Sequence, residues 1–107
     1  MNYIDQIAER IYKETCETLP ALEPGQKLIS DQDIGLYRIY AVLCLAKGTD
    51  TCSADVHDAW SAWRAASVPD HKSLIPFDQL SRSVQAQDHE YVNAIHAVAK
   101  TITKGRS

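Results

Sequence analysis

The sequence predicts an all-α domain of four helices, with an ordered, proline-anchored loop between the third and the fourth. Three observations predict it. Apolar residues recur with helical period in four separate stretches, each bounded by capping or breaking residues. No stretch alternates apolar and polar residues over five or more positions, so no strand is expected. The length of 107 residues suits one domain, and 45% hydrophobic with 23% charged residues is ordinary for a globular chain.

In the first stretch Ile4, Ile7, Ala8 and Ile11 share one face, while Asp5, Gln6, Glu9, Arg10, Lys13 and Glu14 lie elsewhere. That is an amphipathic helix, expected to stop before Pro20. Pro20, Pro24, Gly25 and Ser30 mark a loop, and Ser30 or Asp31 can cap the second helix. That helix, from about Asp33 to Lys47, is apolar almost all round and belongs at the centre of the fold. Lys47 and Gly48 make its stop.

Ser53 can cap a third helix over about residues 54–66, with Val56, Ala59, Trp60, Trp63 and Ala66 as its stripe. A polar loop comes next, and Leu74, Ile75 and Phe77 are expected to anchor it by burial. Ser81 or Ser83 opens the last helix, whose stripe is Val84, Tyr91, Val92, Ile95, Val98, Ala99 and Ile102. The ordered core is expected over about residues 3–102 of a single domain spanning 1–107. The tail 104–107 should fray.

Eleven basic against fourteen acidic residues give a net charge of −3. Duplex nucleic acid is therefore not an expected partner, because phosphate backbones want a basic face. No apolar run approaches the roughly 18 residues of a membrane span, and nothing at the N-terminus resembles a signal peptide. Cys16, Cys44 and Cys52 read as reduced thiols of a cytoplasmic chain, each a small buried apolar side chain.

Asp88 falls on the apolar stripe of the last helix, where a carboxylate is costly unless paired. It either pins the Pro76–Phe77 segment structurally or serves as an acid in a ligand cleft. His57, Trp60, Ser61 and Arg64 form a strip one turn apart along the third helix. A flat aromatic beside a guanidinium suits a nucleobase or a phosphate. Both tryptophans can equally be core filling. No metal-ligand spacing occurs among Cys52, His57, His71, His89 and His96, and no nucleophile–base pair or glycine-rich phosphate loop is evident. No metal, no cofactor and no catalysis are expected.

Val56-His57-Asp58-Ala59-Trp60, then Asp70-His71-Lys72-Ser73-Leu74-Ile75-Pro76-Phe77-Asp78-Gln79-Leu80, then Asp88, together resemble the ryanodine-receptor repeat (RyR) domain. That family carries a His-acid-x-Trp helix, a His-Pro-x-Leu-Val-Pro-aromatic-acid-x-Leu segment and a last helix with an early Asp. Residues 7–12 and Asp33 to Ala46 are similar, more loosely, to its first two helices. The chain also looks like small proteins encoded by viruses of actinobacteria. The resemblance implies a compact helical module that recognises nucleotide-derived ligands. For a free-standing copy it implies a viral sponge, in the host cytoplasm, that sequesters a host immune nucleotide signal. Arg64 takes the place of the family's basic residue one turn after the Trp. The family's Gly-Trp-x-Tyr-Gly insert is absent here, and Lys72 stands where the family has proline.

The expected function is thus a non-enzymatic binding module for a nucleotide-like small molecule. Trp60 and Trp63 would stack on the base, and Arg64, His71 and Lys72 would face phosphate, with His57 and Asp88 completing the site. The alternative is a module that binds a host or viral protein through an exposed helix face. Either reading allows a homodimer that buries leftover apolar surface.

Overall fold

Helix α1 spans Tyr3–Thr15, with the Asn2 side chain accepting the Asp5 amide at its start. Its buried face is Ile7, Ala8 and Ile11, three of the four members of the expected stripe. The computed structural model describes residues 1–102 except Glu17 and Pro20. The helix ends at Thr15, before Pro20 as expected, and the expected fraying of 104–107 falls outside the described residues.

After α1 the chain turns at Pro24–Gly25, where Gly25 takes a φ of +83° that side chains disfavour. Ile29, buried to 4% exposure, fastens this loop to the core. Helix α2 spans Ile34–Ala46. Ser30 caps the turn leading into it, its hydroxyl accepting the Asp33 amide at 3.2 Å. Asp31 instead pairs with Lys27 on the surface. The stop is as expected: Lys47 is the C-cap and Gly48 has a φ of +55°.

Helix α3 spans Ser53–Ala65. Its cap is Cys52 rather than Ser53. The Asp55 carboxylate reaches back to accept the Cys52 amide at 2.9 Å and pairs with Lys47 Nζ at 2.8 Å. One carboxylate thus closes the start of α3 and ties it to the end of α2, and these contacts hold it below the ordinary aspartate range. Asp55→Ala is expected to cost about 1 kcal/mol. Because the folded carboxyl is more acidic than the unfolded one, its contribution disappears as pH falls through the folded value. Urea unfolding at pH 7 and pH 3 checks this: the gap between variant and wild type should narrow in acid.

Helix α4 spans Arg82–Ile102, opened by Ser81, whose hydroxyl accepts the Val84 amide at 3.4 Å. Its C-terminal half is core: Val92, Ala94, Ile95, Val98 and Ala99 are buried. Both α2 and α4 touch each of the other helices, and α1 and α3 pack to either side of them. The central place expected of α2 holds along Leu36, Tyr37, Tyr40, Ala41 and Cys44, while Val42 leaves one edge 52% exposed. Among the described residues there is no strand, and no helix is long and apolar enough to cross a membrane. The chain is an all-α single domain of four helices.

The loop between α3 and α4 is ordered, but not as its apolar content suggests. Ile75 is 39% exposed, and Leu74 and Phe77 are half-buried. Of the apolar side chains in residues 74–80, only Leu80 is buried. Polar clasps do the rest: Gln85 Nε2 donates to the carbonyls of Phe77 and Leu80, and His57 Nε2 lies 2.7 Å from the carbonyl of Ile75. The cysteines also divide. Cys44 is buried, with its thiol 3.8 Å from the Ile95 carbonyl, but Cys16 is half-buried and Cys52 exposed, because the latter two sit at helix ends.

Candidate functional site

The N-terminal halves of α2 and α4 diverge, and α3 with its following loop covers the gap incompletely. The result is a cleft of about 470 Å³. Leu36, Tyr37 and Tyr40 of α2 form its floor with Val84 and Tyr91 of α4. One wall is His57, Trp60, Trp63 and Arg64 of α3 with Asp88 of α4 against His57, and Asp33, His71, Ser73 and Gln87 complete the lining. Among the residues expected to bind ligand, His57, Trp60, Trp63, Arg64, His71 and Asp88 converge here. Lys72 does not: it is exposed and outside the lining. The Ser73 amide donates to His71 Nδ1 at 3.0 Å, closing a tight turn that keeps His71 and Ser73 at the cleft and leaves Lys72 in solvent.

The same bond fixes the chemistry of His71. Its Nδ1 is an acceptor, so Nε2 carries the proton and is a donor. His57 is fixed at the other nitrogen. A carbonyl only accepts, so the 2.7 Å contact with Ile75 places the proton on Nε2. His57 Nδ1 then faces Asp88 Oδ2 at 3.9 Å. Asp88 Oδ2 is buried without a hydrogen-bond partner. Desolvation pushes its carboxyl above the usual range, with the charge of His57 pulling the other way. The structural role weighed for Asp88, pinning the Pro76–Phe77 segment, belongs instead to Gln85 and His57.

Ser61 Oγ lies 3.4 Å from His57 Nε2, so Ser61, His57 and Asp88 stand in the order of a hydrolytic relay. The tautomer prevents it. A general base needs a lone pair on the nitrogen facing the serine, and here that nitrogen is protonated and committed to Ile75. Ser61 is also absent from the cleft lining.

The two indoles differ. Trp60 is engaged by imidazoles: His57 lies nearly parallel at 5.7 Å and 22°, and His71 meets it edge-on at 5.2 Å and 82°. It is a wall that orients both histidines. Trp63 packs against the start of α2 at Gly35, where a Cβ would come within 3.4 Å of the indole. The Arg64 guanidinium sits 4.4 Å over the centroid of Trp63. Arg64 Nε is buried with no hydrogen-bond partner, and Arg64 makes no salt bridge among the described residues.

Tyr12, Tyr37, Tyr40 and Tyr91 run ring to ring from α1 across α2 to α4, at centroid separations of 5.3, 5.6 and 5.4 Å. Burial pushes the phenols of Tyr37 and Tyr40 up, so both remain neutral hydroxyls. The tyrosines, Asp33 and Gln87 do not stand out in the sequence as site residues. The available signal is spacing: Val84, Gln87 and Tyr91 lie within about one turn of Asp88.

A family model described as a domain of unknown function, DUF7701, matches residues 2–100. No curated protein and no solved structure matches the chain.

Proposed function

The chain belongs to the DUF7701 family, and for this member we propose a non-enzymatic module that binds a nucleotide-derived small molecule in the cleft beside Trp60 and Trp63. The observation that carries the reading is Arg64. A guanidinium laid over an indole, lining the cleft and paired with no carboxylate among the described residues, can give its terminal N–H groups to a ligand phosphate. A volume of about 470 Å³ lies in the usual range for small-molecule sites, and the floor is aromatic. His71 Nε2–H adds a second donor. The likeness of His57, Trp60, His71 and Asp88 to the RyR-domain pattern supports the same ligand class. It also supports the wider reading of a viral protein that holds a host nucleotide signal in the host cytoplasm.

Thermal unfolding with a panel of nucleotides, ADP-ribose derivatives and cyclic dinucleotides tests this. Ligand at about 100 times its dissociation constant adds about 2.7 kcal/mol, a rise on the order of 10 °C for a domain this size. Arg64→Ala should weaken the binding by roughly 10- to 100-fold through the lost charge-assisted bonds. No shift anywhere in the panel would defeat the reading. It would favour instead the protein-interaction reading, whose surface is the shallow groove containing the exposed side chains of Met1, Leu19 and Leu22.

A further inference from the structure

Trp63 and Arg64 do not close the cleft; they divide it. Beyond them lies a second hollow of about 510 Å³ between the C-terminal end of α3 and the turn before α2. Asp33, Trp63 and Arg64 line both spaces. The lining changes character across this septum. On the first side stand tyrosines, histidines and Trp60. On the second, Gln32, Asp33 and Ser67 join Ala66 and Val68 beside Trp63 and Arg64.

The second hollow is rich in acceptors. Asp33 is the N-cap of α2, yet its side chain makes no capping bond, and it forms no salt bridge among the described residues. Ser67 Oγ donates to the Arg64 carbonyl at 3.3 Å, which leaves the hydroxyl oxygen able to accept. The hollow lies between the negative end of the α3 dipole and the positive end of the α2 dipole, which offset one another. The carboxylate, amide and hydroxyl oxygens around it favour hydroxyl groups, which donate. A lining that joins an indole to a carboxylate, an amide and a hydroxyl suits the CH and OH groups of a sugar ring.

We propose that the second hollow is a subsite for the sugar half of a nucleoside diphosphate sugar. The base occupies the aromatic cleft, the diphosphate crosses at Arg64, and the terminal sugar donates hydrogen bonds from its hydroxyls to Asp33, Gln32 and Ser67. This rests on the reading of the first cleft as a nucleotide site and adds a prediction that reading does not make. The two-lobed shape selects for a ligand with a hydroxyl-rich second half, over the same nucleoside diphosphate without it.

Calorimetric titration of the whole chain with ADP against ADP-ribose, and UDP against UDP-glucose, tests the proposal. At least one sugar-bearing ligand should bind about tenfold tighter than its parent, the value of one or two added hydrogen bonds. The double variant Gln32→Ala/Ser67→Ala should lose that advantage while its ADP and UDP affinities stay within about threefold of wild type. Its unliganded melting temperature verifies folding. Equal affinity for parent and sugar-bearing ligands overturns the subsite and leaves the nucleotide cleft standing. An advantage that survives in the double variant overturns the residue assignment. Failure of all four ligands to bind overturns the subsite, and the nucleotide cleft falls with it only if the wider thermal-unfolding panel is silent as well.

Discussion

Replacing His57 with alanine is expected to cost the domain about 2–4 kcal/mol, from the cavity left by a buried ring and the Ile75 carbonyl left without its donor. The side chain is 4% exposed and has two tasks. Its Nε2–H satisfies the Ile75 carbonyl and holds the loop, and its Nδ1 faces the buried, otherwise unpartnered oxygen of Asp88. The alanine variant also leaves the Asp88 carboxyl, part-buried, without the imidazole beside it. Asp88→Asn should therefore rescue a substantial part of the loss when added to His57→Ala, giving a coupling of more than about 1 kcal/mol in a double-mutant cycle. Asp88→Asn alone has a pH signature. The folded carboxyl holds its proton more tightly than the ordinary value of 3.8. Its contribution is fully present below that value and is lost as pH rises through the folded one. In urea titrations between pH 3 and 7, the stability of wild type relative to Asp88→Asn should decline as the pH rises. A His57→Ala protein within about 0.5 kcal/mol of wild type, or one that gains nothing from Asp88→Asn, would remove the pair from any structural role.

Ile95→Ala carries the other large effect. Ile95 is completely buried on α4, in the core cluster that also holds Cys44 and Tyr40. Deleting its side chain should cost about 2–5 kcal/mol from transfer and cavity together. A domain of this length has roughly 5–15 kcal/mol in total, so the variant forfeits a large share of its stability. The urea midpoint should drop with little change in slope. Ile75→Ala is the informative contrast: the same substitution at an exposed loop position should cost less than about 0.5 kcal/mol. Similar losses at the two sites would mean that the 74–80 segment is fastened by its apolar side chains after all.

That contrast marks how far the sequence could be read. Helical period placed Ile7, Ile11, Ile95 and Val98 in the core, because burial of a helix face is written at every third or fourth residue. The stop of α2 at Lys47 and Gly48 was equally local. The loop was different. Treating Leu74, Ile75 and Phe77 as anchors assumes that apolar residues fasten a segment. Here the fastening comes from Gln85 and His57, whose bonds join residues 5 to 18 positions apart. No period records such a bond. The same limit hid the Asp55 clasp at Cys52 and the outward turn of Lys72, each set by a single hydrogen bond. The site was half legible. Residues of unusual type, an aspartate on an apolar stripe and two tryptophans beside an arginine, stood out. Tyr37, Tyr40 and Tyr91 did not, because on an amphipathic helix a tyrosine facing a cleft looks the same as one facing the core.

Both tryptophans of the chain border the same cleft. The molecule therefore carries an intrinsic fluorophore that reports on this cleft and on the hollow that shares Trp63 with it. Indole emission, selectively excited, would register quenching by a stacked ring or the lifting of the guanidinium from Trp63, with no label and no background from distant tryptophans. A fluorescence titration can thus screen ligands directly, because of where these two side chains happen to lie.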